Sequence, residues 1–503
     1  MKIKIISYSF ILSALFLFSV NAQVRQPHSL YFMETIPQTT QMNPAHQPRA
    51  NGYVSFPLAN VNADAFIDIA LKDILQQQNG KWYMPLESDY NYNELQKSIG
   101  KKSTMFNMGA DIDLLGFGFR KGNSYWTFGI SEHFAGSVAL PSDIFKITED
   151  GFPDGSNYDF SPLRVKALLY TQLNVGYSRK FSDKLTIGIN VKPIIGNAGA
   201  ITKLDKLQLT TGLDKWTMGG KGEVYNSSPY DITQDADGKF SFDSTIDSVK
   251  TADDWMNVAK DYLLQFKNRG IAFDFGASYD INERINISAS VNNFGLISWN
   301  NKLSGISIPG GDYEFTGVPY DLGGEKKMKE VFNDFFDELG DEIINDMEGK
   351  VNHNKFTTTL APVINVGASY KFSKSISTGF LSRSVIWQNG VRQSFNLSLY
   401  LQPYSFVAFN LGGTYQVKGN AYLGGGFMFH FLRVFQFYLL ADYIPIKYST
   451  LTIDNETVSA GNFNIPFPER QKSLTYRLGL NLVFGRHGYS DRPMLDKGKS
   501  SWN

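Results

Sequence analysis

The sequence predicts an all-β chain, a transmembrane antiparallel β-barrel of about fourteen strands, on three observations. Runs of two-residue alternation recur throughout. Leu185, Ile187, Ile189 and Val191 are apolar between Thr186, Gly188, Asn190 and Lys192, so the run has one apolar and one polar face. When the chain is threaded through its short connections, every long connection falls on the same side, as in outer-membrane barrels. The composition agrees: 45 of 503 residues are glycine and 14% are aromatic, against 19% charged, which suits strands better than helices.

The first element is a signal peptide over residues 1–22. Lys2 and Lys4 precede an apolar run that closes on Val20-Asn21-Ala22, a small-residue cleavage pattern. The mature chain is expected to start near Gln23 and to be exported. It has no cysteine, which excludes disulfides, thiolate zinc sites and a lipidated N-terminal cysteine. Lys plus Arg and Asp plus Glu both total 48, so charge gives no reason to expect nucleic acid. No later apolar run is long enough for a spanning helix.

Residues 23–50 form the second element, polar and broken by Pro37, Pro44 and Pro48. Such a segment hangs free or folds into the lumen. The barrel follows over 51–486, with strands expected at 52–60, 105–119, 124–137, 164–180, 184–198, 270–280, 284–299, 355–371, 375–387, 391–402, 405–415, 421–430, 433–445 and 473–485. The long outer loops are 61–104, 138–163, 199–269, 300–353 and 447–472. The stretch 203–225 reads as a hairpin above the membrane, or as two further spanning strands that would make sixteen. Residues 487–503 form a periplasmic tail.

One phrase recurs along the barrel: VGYSRKFSDKLTIG at 175–188, FGASYDINERINIS at 275–288 and VGASYKFSKSISTG at 366–379. Each copy reads as a tight hairpin between two spanning strands. Its glycines, Gly176, Gly188, Gly367 and Gly379, sit inside strands. Glycine there relieves bends or admits something close to the wall. Tyr177, Phe181, Tyr279, Tyr370 and Phe372 fall at the turn ends, with Trp299, Trp387 and Tyr443 opposite, as aromatic girdles would. Alternation points Asn190, Lys192, Gln436, Asp442, Arg477 and Asn481 into the lumen, the composition of a hydrated or plugged interior.

The outer loops carry apolar stripes at helical spacing. One contains Phe332, Phe335 and Leu339, a second Trp255 and Phe266, and a third Phe66, Ile69, Ala70 and Ile74. They would cap the barrel mouth, line an apolar entrance or hold a protein partner.

Ahead of the first strand, Asn43-Pro44-Ala45 resembles the Asn-Pro-Ala element of the FadL-like, long-chain fatty-acid transporter family, which includes secretion-associated members. That resemblance implies an N-terminal hatch preceding a fourteen-stranded barrel. The whole layout also resembles an uncharacterised outer-membrane family of unknown function. The tail after Phe484 departs from barrels that end on a terminal aromatic.

Chemistry finds little support. The six histidines lack metal-ligand spacing. Asp235, Asp237 and Gly238 make a partial calcium-loop pattern without its first and last ligands, so they read as a turn. Gly305-x-Ser307-x-Pro309 misses the nucleophile-elbow pattern. Glu132-His133 reads as polar lumen wall. No cofactor, metal or enzymatic activity is expected. The expected function is passive passage of small hydrophobic or amphipathic molecules through the outer membrane. The alternative is an accessory subunit of a secretion or envelope-assembly complex. Expected partners are membrane lipid, a hydrophobic small molecule and proteins of such a complex.

Overall fold

The computed structural model describes residues 26–78, 81–83, 90–99, 102–236, 238–244, 266–315, 344–387, 390–417, 421–432, 434–446, 448–453, 463–468 and 471–486. Fourteen antiparallel strands close into a barrel. We number them β1 (Ala50–Ser55 and Asn60–Ile67), β2 (Ser103–Lys121), β3 (Ser124–Pro141), β4 (Arg164–Lys180), β5 (Leu185–Thr210), β6 (Arg269–Asp280) and β7 (Ile285–Trp299). Next come β8 (Phe356–Thr359 and Val363–Lys371), β9 (Ile376–Trp387), β10 (Gly390–Tyr404), β11 (Val407–Gln416), β12 (Ala421–Phe431), β13 (Phe435–Ile444) and β14 (Ser473–Arg486). Each strand pairs with its sequence neighbours. The seam joins the first to the last, with Gly52 opposite Phe484 and Val61 opposite Leu478.

The alternation in the sequence becomes the two faces of the wall. Ile187, Phe275, Leu397 and Leu478 are exposed outside, while Asn190, Asp274, Asn396 and Arg477 are buried inside. Phe181, Tyr279 and Phe372 are exposed at the short-turn end. No helix among the described residues is long and apolar enough to cross a membrane.

Several boundaries differ from expectation. The first long loop starts after Ile67, not at 61, because β1 resumes beyond a break at 56–59. Pro57 has no N–H to give the ladder, and Leu58 turns the chain at φ 60°. The stripe Phe66 to Ile74 is therefore the end of a strand and one helical turn, Leu71–Ile74. The 203–225 stretch does not span. β5 runs on to Thr210, and the strand Trp216–Ser227 folds back along it and pairs with Leu303–Phe315 outside the closed ring. Trp299 and Tyr443 are not girdle residues, being 0% and 2% exposed. Gly196 and Gly199 leave a slot that the Trp299 ring fills, with its Nε1 donating to Thr358 Oγ1 at 2.9 Å. Phe266 is exposed and outside any helix. Trp255, Phe332, Phe335, Leu339, the expected signal peptide at 1–22 and the expected tail at 487–503 lie outside the described residues.

The wall register gives a direct test. Ile187→Arg should destabilise the barrel in lipid by roughly 2–4 kcal/mol if it lies near mid-membrane, whereas Asp183→Arg in the β4–β5 turn should change little. Urea titration of folded protein in liposomes measures both. Equal losses would mean that the outward face of β5 is misassigned.

Candidate functional site: a plugged lumen

Residues 26–49 fill the barrel. Two short 3-10 turns, His28–Leu30 and Pro37–Gln41, give the segment its fold. Pro37 starts the second, where its missing N–H costs nothing. Leu30, Tyr31, Met33, Ile36 and Met42 are at most 2% exposed and pack on inward-pointing Leu381, Tyr400, Met428, Tyr438 and Leu440. The strands β9 to β13 thus turn an apolar patch inward to receive them.

Asn43-Pro44-Ala45 sits on backbone. A Cβ at Gly276 would collide with Asn43 Oδ1, and one at Gly188 with the Pro44 carbonyl. The two glycines face each other across the β5–β6 ladder. The Asn43 side chain donates to the carbonyls of Ala277 and Ala289 at 3.4 and 3.3 Å and accepts from the Ala45 N–H at 2.9 Å. Further round the wall, Gly367 makes room for the Tyr31 ring and Gly379 for the Phe32 ring. All four of these glycines, Gly188, Gly276, Gly367 and Gly379, belong to the recurring hairpin phrase.

The polar side chains predicted to face the lumen divide into two groups. Four touch the plug. Gln436 Nε2 donates to the Thr35 carbonyl at 2.8 Å, and Asn481 and Gln38 exchange amide hydrogen bonds at 2.9 and 3.0 Å. Arg477 donates to Gln41 Oε1 at 2.9 Å, and Asp442 accepts from the backbone N–H groups of His28 and Ser29. The other two border a cavity beside the plug. Lys192 lies 2.6 Å and Asn190 2.9 Å from Asp274. Sequence reasoning missed Arg383, which donates to the Gln26 carbonyl, and Asn365, which donates to the Met42 carbonyl at 3.2 Å. Their only signal was inward parity.

At the short-turn end Arg120 donates to Gln47 Oε1 and the Pro48 carbonyl at 2.5 and 2.6 Å, and Arg49 to Gln402 at 3.0 Å. Glu34 faces Arg49 at 3.5 Å. Burial pushes the Glu34 carboxyl up, but Arg49, Lys371 and His46 outweigh it and hold it below the usual range. Burial lowers the His46 imidazole to about 4, against an opposing pull from Glu34.

Two cavities lie beside and beyond the plug. A polar one of about 100 Å³ is bordered by Gln26, Gln41, Asp111, Asp113, Lys192 and Arg383. A larger one of about 470 Å³ has Leu168, Ile201 and Leu360 in its wall, with Arg164, Lys166 and Lys203 among them. Tyr170 borders both.

These features define a fourteen-stranded barrel closed inside by its own N-terminal segment. The chain belongs to the family of unknown function DUF5723, whose profile matches residues 44–442. No curated protein matches it in sequence. Among solved structures it is similar to the toluene transporter TbuX of Ralstonia pickettii, at 9% identity and a TM-score of 0.42, over 93% of this chain and 100% of that one. It is also similar to a Pseudomonas aeruginosa FadL homologue, at 11% identity and a TM-score of 0.44, over 93% and 100% of the two chains. The Pseudomonas putida toluene transporter TodX matches at 8% identity and a TM-score of 0.36, over 92% and 95%.

Two outcomes follow from the seat. Gly276→Leu should unseat the plug at a cost of about 1–3 kcal/mol of overpacking, exposing Arg49 to trypsin while the barrel still migrates as a folded species on unheated gels. Protection of Arg49 unchanged from the parent would contradict the glycine seat. Acid should also loosen the plug. A group held below its ordinary value binds fewer protons when seated, so seating is strongest above 6.5 for His46 and above 4.5 for Glu34. Lowering the pH from 7 toward 4 should raise the mobility of a spin label at Gln47→Cys, with Gln47→Cys/His46→Gln responding less below pH 6.5.

Proposed function

We propose that the barrel passes small amphipathic molecules across an outer membrane and that residues 26–49 are its hatch. The carrying observation is the way the plug is held. Its polar contacts are hydrogen bonds to side chains and bare strand backbone, and the chain has no cysteine to lock it. Such contacts are individually worth about 0.5–1.5 kcal/mol net, or about 1.5–3 kcal/mol where an arginine or aspartate takes part, so they can be exchanged one by one. Above the hatch the larger cavity offers apolar walls and basic side chains, and the smaller one hydrogen-bonding groups. A molecule with one apolar and one polar end matches that sequence of surfaces. The outward apolar belt supports lipid around the barrel, and the N-terminal signal pattern supports export.

An accessory role in a secretion or envelope complex has its own support. Beyond the ring, the sheet of β5, Trp216–Ser227 and Leu303–Phe315 carries exposed Leu213, Tyr230 and Phe242 nearby, side chains of the type that anchor partners.

Deleting 36–48 separates the two. As a hatch, its loss should raise influx of an amphipathic fluorescent reporter into proteoliposomes several-fold while the barrel stays inserted. Unchanged influx, together with proteins that co-purify with the native chain and are lost on Leu213→Asp and Phe242→Asp substitution, would favour the accessory role.

A further inference from the structure

We propose that Ser131, His133 and Asp111 form a nucleophile, base and orienting acid inside the barrel, and that they hydrolyse small carboxylic esters bearing an apolar chain. The site rests on the reading of the outer cavity as the route by which cargo arrives.

Ser131 and His133 lie two residues apart on β3, so both point inward. Asp111 on β2 is directly opposite His133, and Asp113 opposite Ser131. His133 Nδ1 is 2.5 Å from Asp111 Oδ1, and its Nε2 is 2.7 Å from Ser131 Oγ. A carboxylate on Nδ1 keeps the proton there and leaves the Nε2 lone pair for the serine hydroxyl. That order of roles defines an activated serine. The other Asp111 oxygen accepts from Gln26 at 3.1 Å and Asn62 at 3.4 Å, fixing the carboxylate. Tyr170 stacks on the imidazole, ring centroids 4.9 Å apart, fixing its plane. The neighbouring Glu132 turns to Thr171 and Asn197 instead, at 2.7 and 2.6 Å.

The arrangement exists because of a bulge. The β2–β3 register slips between Asp113 and Leu115. Continued unbroken from the Lys121–Ser124 pair, it would set Asp111 opposite Phe134 and on the other face from His133. Bulges re-aim side chains in this way beside functional sites.

Polar connectivity alone does not make a site, and the same barrel shows the contrast. His28 lies between Asp442, at 3.3 Å on Nδ1, and Ser394, at 2.9 Å on Nε2. There the histidine and acid side chains are 0% and 1% exposed, and none of the three residues borders either cavity. That set pins the plug. His133 and Asp111 are 15% and 11% exposed, and all three members border the polar cavity. Gln172, directly across the ladder from Ser131, borders it too and can offer an amide N–H to a developing oxyanion. Tyr170, stacked on the base, also borders the larger apolar cavity. The polar cavity itself has Met42, Val363 and Val385 in its wall, so an ester can lay its apolar chain against them and present its carbonyl to Ser131.

The step balances with water alone. Ser131 Oγ adds to the acyl carbon as its proton passes to His133 Nε2. Collapse of the adduct breaks the ester C–O bond, and the leaving alkoxide takes that proton. A water molecule, deprotonated by His133, then cleaves the acyl-serine to a carboxylic acid and restores the hydroxyl. The sum is ester plus water giving acid plus alcohol.

The test uses the full chain extracted in mild detergent, a fluorophosphonate probe and p-nitrophenyl octanoate. Peptide mass analysis should place one adduct on Ser131. Ser131→Ala should abolish it, and His133→Ala, which removes the general base, should lower labelling and ester turnover by roughly 10²–10⁴-fold. Asp111→Asn should slow labelling and shift its pH profile, which loss of a structural hydrogen bond alone would not do. Ser394, in the sealed set, should carry no adduct. Each variant must still show the heat-dependent gel shift of a folded barrel. The inference is overturned if Ser131 takes no probe in folded protein, or if turnover survives Ser131→Ala. If deleting 36–48 raises influx while Ser131 stays unlabelled, passage stands and hydrolysis falls. If Ser131 is labelled and that deletion leaves influx unchanged, hydrolysis stands and passage falls.

Discussion

Asn43 reaches the carbonyls of Ala277 and Ala289 only because Gly276 and Gly188 present strand backbone without a side chain. Close approach of plug and wall is the constraint on which the interior depends. A lumen lined with amide, carboxylate and guanidinium groups must satisfy them once water is excluded, and the N-terminal segment supplies many of the partners. Gln38, Gln41 and the backbone of 28–42 answer Asn481, Arg477, Asp442 and Asn365. Shift the segment outward by the width of a methyl group and these bonds lengthen together.

The barrel was legible because its signal is local. Period-two alternation and turn spacing mark each strand without reference to any other, and long loops on one side follow from counting. Departures arise where the outcome depends on distant residues. Trp299 reads as an interfacial aromatic until Gly196 and Gly199, on another strand, open a slot for it. The recurring glycine phrase was visible, but its purpose was not, since nothing in the strand sequence says what lies against it. Inward polar residues could be assigned by parity, whereas their division between plug contacts and cavity wall depends on the path of the segment.

Register is the subtler limit. A single irregularity between Asp113 and Leu115 decides which face Asp111 shares with β3, and no composition cue announces it. His133 beside Glu132 therefore looks like ordinary polar wall in sequence, while in three dimensions its partners are a residue two positions back and another on the adjacent strand. Among the described residues the interior holds two histidine sets of like connectivity, one sealed and one bordering a cavity. Exposure rather than bonding pattern separates a fastener from a reactive centre.

The contacts of β14 have a kinetic consequence. Arg477 and Asn481, near the C-terminal end of the described chain, bond Gln41 and Gln38 near its start, over sequence separations of 436 and 443 residues. The same strand closes the ring against β1, which continues directly from the plug. Contacts of such separation form late, because the loop entropy must be met before they return any energy. The N-terminal segment must wait beside an open sheet until the final strand arrives. Sealing the wall and fastening what it encloses then become a single late event in the maturation of the molecule.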